Sequence, residues 1–177
     1  MTAIADFRPP HTWDGVDATL FAAAAIKPAD RVLDVGCGTG ATTRIAARLA
    51  SRGHAVGVDI SAPLLRTAQK LTAAEKVANA SYQVADAQVH PFPPCGYDVI
   101  VSRGGVLSFA DPAAAFRNLA RALMPGGRLA LVCPWSGFGS DRIREVLDGW
   151  ENIEVELYDG NQLVTADRPR RMTTDVD

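Results

Sequence analysis

Three carboxylates and three glycines in this 177-residue chain have the spacing to do chemistry. Asp34 sits inside the apolar run "VLDV" and is followed by Gly36, Gly38 and Gly40. Asp59 closes the run "HAVGVD", and Asp86 closes "SYQVAD". Alternating glycines let the backbone turn sharply and let a ligand come close, because no Cβ stands in the way. A carboxylate beside such a loop selects among ligands. It repels a pyrophosphate, so the loose match of Gly36, Gly38 and Ala41 to the G-x-G-x-x-G/A dinucleotide fingerprint is weak here. It favours a ligand that carries positive charge and no phosphate.

S-adenosylmethionine has that character, with a sulfonium and an ammonium group. Asp34 would face the cation directly or through an ordered water. The helix N-terminus behind the loop would face the methionine carboxylate or the ribose. Asp59, at the second strand end, is placed to accept from the two ribose hydroxyls. Asp86, at the third, would accept from the adenine amino group while the Ala87 amide donates to a ring nitrogen. The structural alternatives are plain. Asp34 could bond the loop's own amides, and Asp59 could cap the following helix, although Ser61 is the better cap.

These residues need a parallel sheet beneath them. Short β-branched runs alternate with longer Ala/Leu/Arg patterns, which argues for βαβ units. The strands are Arg31–Val35, "HAVGVDI", "SYQVAD", "YDVIVS" and "RLALVCP". Helices are predicted over "VDATLFAAAAI", about Ala41–Ser51 with Gly53 ending it, Ser61 to about Lys76, Asp111-Pro112 to about Met124, and Ser140 or Asp141 to about Trp150. "PGG" stops the fourth of these. "NIEVELYD" and "QLVTAD" then alternate around an Asp-Gly, a hairpin signal. The expectation is one α/β domain over 1–177: a doubly wound sheet of about seven strands, mostly parallel, with a C-terminal antiparallel hairpin. Residues 1–20 are a candidate site-covering segment, and 169–177 a flexible tail.

Composition bounds the function. A hydrophobic share of 47% and a charged share of 21% suit one soluble domain with a real core. A net charge of −2 gives no electrostatic footprint for nucleic acid. No apolar run is long enough to span a membrane, and "MTAIADFRPPHTW" has no secretory pattern. A cytoplasmic location is expected. Cys37, Cys95 and Cys133 are far apart, without metal or redox spacing, so no metal is expected and the default is a reduced thiol.

The motifs resemble the class I S-adenosylmethionine-dependent methyltransferases, nearest to the quinone-biosynthesis and natural-product type, whose fold is Rossmann-like. "VLDVGCGTG" is similar to their first motif and "GVDIS" to their ribose-binding strand end. "VADAQVHPFPPCGYDVIVS" looks like the adenine-side Asp, Pro-rich loop and fourth strand. "RNLARALMPGGRLALV" and "IEVELYDGNQLVTADRP" look like the fifth-strand unit and the closing hairpin. The resemblance implies methyl transfer from S-adenosylmethionine to a small-molecule acceptor. The implied cofactor residues are Asp34, Gly36, Cys37, Gly38, Gly40, Asp59, Ile60, Asp86, Ala87, Ser102 and Arg103. The backbone of Ser102 and Arg103 would hold the methionine ammonium.

Two departures stand out. "CPWSGFGSD" passes almost at once from strand to helix, where relatives insert helices that roof the acceptor, and "SRGGVLSF" has glycine where they often carry a bulky residue. The acceptor pocket must then come from the N-terminal segment, the strand-end loops or a second subunit, as in a homodimer. The alternative is a module that binds the cofactor without transferring methyl. For catalysis the candidates are His11 as a base and Arg103 as a partner for an acidic acceptor, with Trp13, Trp135 and Ser136 near the acceptor. His54 is at the wrong end of its strand, and His90 is a loop residue.

Overall fold

The computed structural model describes residues 15–134, 140–158 and 160–170. Its seven strands form one sheet in the order β3-β2-β1-β4-β5-β7-β6. β1 (Arg31–Val35), β2 (His54–Asp59), β3 (Ala80–Val84), β4 (Tyr97–Arg103) and β5 (Leu123–Pro134) are parallel. β6 (Glu151–Tyr158) and β7 (Asn161–Asp167) form the hairpin, and β7 pairs antiparallel to β5. The doubly wound architecture expected from the alternating pattern is therefore present.

Period-two alternation puts the apolar strand residues on both faces, as a parallel sheet covered on both sides requires. Val32, Val99 and Val101 meet Leu20 and Phe21 of α1 (Gly15–Ala24) and Ile45 of α2 (Ala41–Leu49). Leu33, Ile100 and Leu129 meet Phe116 and Leu119 of α4 (Pro112–Ala122) and Ile143 of α5 (Ser140–Val146). α3 (Ala62–Ala74) buries Leu65, Ala68 and Thr72 beside β2 and β3.

Local chemistry sets the boundaries, with three corrections. Asp111 caps α4 as expected, its Oδ1 accepting from the Ala114 amide at 2.9 Å, with Pro112 in the first turn. α4 nevertheless ends at Ala122, because Leu123 already pairs with Tyr97. Pro125-Gly126-Gly127 therefore lies inside β5, across an irregularity in its pairing with β4. α5 stops at Val146 rather than near Trp150. Turn bonds from Leu147 to Trp150 follow, and Gly149 takes a positive φ of 81°. Ser61 makes no side-chain cap on α3. Asp59 accepts from the Ser61 amide instead, at 2.8 Å.

The C-terminal end of α2 is tied by a residue 30 positions beyond it in sequence. Asn79 Nδ2 donates to the carbonyls of Ala47 (2.8 Å) and Ala50 (2.9 Å) at the end of the helix, the second of which the Gly53 amide shares. Asn79→Ala strips these carbonyls of a partly buried donor. It is expected to lower stability by about 1–2 kcal/mol, measured as a shift in the urea midpoint at unchanged slope. An unmoved midpoint would mean that water replaces the amide without loss.

Candidate functional site

Strand order reverses between β1 and β4, and ligands in open α/β sheets bind at the carboxyl ends of the strands there. The glycine loop leaves β1 at this point. Gly36, Gly38 and Gly40 all have positive φ, at 70°, 53° and 76°. The loop is bound to the neighbouring strand, the amides of Gly36 and Cys37 both donating to the Val58 carbonyl. An added Cβ at Gly38 would meet nothing within 4 Å, so open space lies in front of the loop.

The glycine pair after β4 belongs to the same construction. Gly104 has a φ of 75°, which starts the short 3-10 turn Gly105–Ser108. A Cβ on Gly105 would lie 2.5 Å from the Val35 carbonyl oxygen and 2.7 Å from Gly36 Cα. The two glycine-bearing loops cross backbone to backbone, which explains why this fourth-strand end has no bulky residue. Ser102 supports the crossing from below: it is fully buried, and its hydroxyl donates to the Val35 carbonyl at 2.7 Å.

Asp34 has no exposed surface. Its Oδ2 accepts from both Thr42 and Thr43 hydroxyls at 2.6 Å, which pins the first turn of α2 to β1. Thr43 has room to do so because Gly57, opposite Asp34 on β2, has no side chain; a Cβ there would lie 2.6 Å from Thr43 Oγ1. The expected structural alternative involved loop amides; the actual donors are helix hydroxyls. Asp34 Oδ1 is buried with no partner among the described residues. Burial pushes the Asp34 carboxyl up to about 6, against the pull of the two threonines, and Asp17 and Asp59 add to the rise. The same burial, with Asp34 and Asp59, raises the Cys37 thiol, so Cys37 stays protonated and packs as a small apolar side chain.

An open cleft of about 150 Å³ lies above the carboxyl ends of β1, β2 and β3, beside the loop that follows β4. Gly36, Asp59, Ile60, Asp86 and Ala87 line it, and so do Gln88, Gly105 and Phe109, to which sequence reasoning gave no role. Asp59 is held from both sides, Oδ2 by the Gly38 amide (2.9 Å) and Oδ1 by the Ser61 amide. Asp86 is fixed by Gln88, whose backbone and side chain both donate to it. Asn118 of α4 braces this loop through the carbonyls of Ala87 and His90. Ile60 is 70% exposed on the cleft wall, an apolar surface for a flat ring.

Arg103 does not line this cleft. It turns to the other face and pairs with Asp17 in the first turn of α1, Nη1 to Oδ1 at 2.7 Å. Asp17 is buried, and no sequence signal linked it to Arg103, 86 positions away. His54 lies at the amino end of β2, bonded to Ser81, and His90 sits beside Gln83 and edge-on to Phe92. His11, Trp13, Trp135 and Ser136 lie outside the described residues. No group of three or more His, Cys, Asp or Glu side chains among the described residues could hold a metal ion. No helix among them is long and apolar enough to cross a membrane.

A glycine loop leaves the switch point of a Rossmann-like α/β sheet, with carboxylates at or just beyond three adjacent strand ends. The family model described as "Methyltransferase domain" matches residues 32–127, more than half of the chain. The ubiquinone/menaquinone biosynthesis C-methyltransferase UbiE of Shewanella frigidimarina is 36% identical over 127 residues, 71% of this chain and 50% of the relative. Aklanonic acid methyltransferase DauC of a Streptomyces species is 34% identical over 106 residues, 59% of this chain and 48% of its own. Phosphoethanolamine N-methyltransferase 2 of Haemonchus contortus, solved with S-adenosyl-L-methionine, superposes with a TM-score of 0.78 at 22% identity, over 93% of this chain and 54% of that one. The chain belongs to the methyltransferase domain family, and the resemblance to class I S-adenosylmethionine-dependent methyltransferases is borne out. It spans about half the length of the curated relatives it matches.

Two outcomes test this geometry. Gly105→Ala forces backbone against backbone and is expected to cost about 1–3 kcal/mol of stability; a neutral substitution would mean the two loops separate freely. The second concerns pH. The folded chain holds the Asp34 proton more tightly than the unfolded chain, whose ordinary value is 3.8. Stability from this group is thus full below that value and lost as pH rises through about 6, a difference of roughly 3 kcal/mol at most. Asp34→Asn, which keeps an acceptor for both threonines, should be the more stable protein at pH 8. The gap should close as the pH is lowered through about 6. Equal gaps in acid and alkaline urea titrations would place the charge elsewhere.

Proposed function

We propose that this chain binds S-adenosylmethionine in the cleft above the carboxyl ends of β1, β2 and β3 and transfers its methyl group to a small-molecule acceptor. The observation that carries this reading is the buried, orphaned Oδ1 of Asp34 behind an open glycine loop. Burial raises the Asp34 carboxyl and Asp59 raises it further. Asp17, which also does, is paired with Arg103, so Asp34 and Asp59 leave net negative charge behind and beside the glycine loop. Such a site suits a sulfonium and an ammonium and opposes a pyrophosphate. A dinucleotide reading has no comparable support.

The residues present fit the donor. Gly36, Gly38 and Gly40 give the methionine portion close backbone approach, with Cys37 as packing beneath them. Each Asp59 oxygen spends one lone pair on a backbone amide, and a carboxylate has about four such sites, so both oxygens keep capacity for the ribose hydroxyls. Ile60 offers an apolar face to the adenine, Asp86 an acceptor and Ala87 an amide. Ser102 positions the crossing of the two loops, and Arg103 pairs with Asp17 of α1. When bound, the donor supplies an electrophilic methyl group on sulfur. The chain's own contribution is alignment of acceptor, methyl and sulfur, worth on the order of 7–11 kcal/mol in well-oriented systems.

A guanidinium offers donors and no acceptor atom, so any role of Arg103 toward the acceptor is electrostatic. A base for a weakly acidic acceptor falls to His11. The described chain begins beside the outermost strand, where an added Cβ on Gly15 would lie 2.9 Å from the hydroxyl of Tyr158, level with the carboxyl end of β5. The names of the relatives, a quinone-biosynthesis enzyme and an aklanonic acid methyltransferase, support a small-molecule acceptor. The short passage from Pro134 to Ser140 is consistent with an acceptor site completed by the N-terminal segment or a second copy.

Calorimetry with S-adenosylmethionine, S-adenosylhomocysteine and NAD is expected to show binding of the first two only; NAD alone would overturn the proposal. Asp59→Ala should weaken the donor roughly 10- to 100-fold, from loss of charge-assisted hydrogen bonds at about 1.5–3 kcal/mol, with the fold retained. Labelled-methyl transfer into a metabolite extract should yield a labelled product. Donor binding without any product across many acceptors would favour a binding module.

A further inference from the structure

The second half of the glycine loop is held by side chains that do not line the cleft. Asp34, Gly57 and Tyr82 stand in one register row on β1, β2 and β3, so their Cβ positions share a face of the sheet. Gly57 leaves the middle of that row open. A Cβ there would lie 2.8 Å from Cys37 Sγ and 2.9 Å from Tyr82 Cδ1. The half-buried Tyr82 ring uses this space, and its hydroxyl arrives at Gly40, where an added Cβ would collide with it. Thr72 of α3 is buried and orients the phenol, Oγ1 to Oη at 2.6 Å. Tyr82 in turn donates to the Gly40 carbonyl at 3.4 Å.

A second hold comes from α2. Arg44 is buried, donates Nη1 to the Thr39 carbonyl at 2.9 Å, and sets Nε 2.9 Å from Glu75 Oε1 at the end of α3. A guanidinium fork can meet a carbonyl and a carboxylate at once; an ammonium is a single point of charge. Arg48 shares Glu75 from the exposed side of α2. The first half of the loop has backbone holds of its own, Gly36 and Cys37 on the Val58 carbonyl and Gly38 on Asp59. Thr39 and Gly40 depend on Arg44 and Tyr82. A glycine loop free to leave its positive φ would have to be ordered again each time a ligand bound.

We propose that Tyr82 and Arg44 are positioning residues for the donor. Acting through the Gly40 and Thr39 carbonyls, they hold the second half of the loop in the conformation that receives the methionine portion. This rests on the methyl-transfer reading for the identity of the ligand. Neither side chain touches the donor; both raise its affinity by keeping the loop ordered in the free protein. β3 then serves both ends of the donor, with Asp86 toward the adenine and Tyr82 behind the methionine portion.

S-adenosylhomocysteine binding to the full chain is measured by calorimetry, beside urea unfolding and hydrogen exchange of the Gly40 amide, which donates to the Cys37 carbonyl at 2.8 Å. Tyr82→Phe keeps the ring over Gly57 and removes only the hydroxyl; it should weaken the ligand about 3- to 10-fold. Arg44→Met keeps the buried stem and removes the fork, for a loss of about tenfold or more. If that variant does not fold, Arg44→Lys, which keeps the charge without the fork, takes its place. Because both residues act on one half of the loop, the double variant should lose less than the product of the single losses. The Gly40 amide should exchange faster in each ligand-free variant and regain protection with S-adenosylhomocysteine. Arg48→Ala, an exposed partner of the same Glu75, should leave affinity within about twofold. Wild-type affinity in Tyr82→Phe and the Arg44 variant, or unaltered Gly40 exchange, would overturn the positioning role whatever happens to the urea midpoint, and would leave the donor reading standing. A wild-type protein that binds no S-adenosylhomocysteine would overturn both.

Discussion

A carboxylate with one satisfied oxygen and one orphan is the constraint around which this structure is arranged. Asp34 lies in a central strand with no access to solvent. Two threonine hydroxyls on Oδ2 hold the start of α2 against β1, and so fix the exit of the glycine loop. They do not offset the cost of burying charge, since the carboxyl still sits near 6. A neutral side chain would serve the helix anchor equally well. The carboxylate earns its place only if a cation arrives at the loop, where strain retained in the free protein becomes attraction in the complex.

The remaining features follow from bringing a ligand close to that charge. The switch point sets β1 and β4 side by side, and their exits cross with no side chain between them, Gly36 on Gly105. Ser102 fastens the crossing, while Asp59 and Asp86 are held by Gly38, Ser61 and Gln88. A site whose acceptors are already oriented loses little conformational entropy on binding. Arg103 offsets one buried acid, Asp17, whereas Asp34 Oδ1 has no partner among the described residues.

Much of this was legible in the sequence because it depends on local pattern. The β-branched runs, the Asp111-Pro112 start and the Asp-Gly hairpin each specify their element from neighbours a few residues away. The exceptions are interactions between distant segments. The fourth helix gives way to β5 at Leu123 because Tyr97 pairs there, which propensity does not register. Ser61 looks like the better cap, yet Asp59 takes the amide because the tight exit from β2 folds it back. Arg103 looked like a ligand of the donor or acceptor; its partner proved to be Asp17, in a helix whose own sequence gives only an acidic first turn. The glycine loop could be recognised, but the threonine donors to Asp34 require knowing which side of α2 meets the sheet.

The most direct test is a crystal structure of the protein with S-adenosylmethionine. The sulfonium and ammonium should lie at the Gly36–Gly40 loop on the Asp34 side, the ribose hydroxyls on Asp59, and the adenine between Ile60 and Asp86. A donor bound in the reverse direction, with its adenine over Asp34, or bound outside this cleft, would contradict the role assigned to the buried carboxylate.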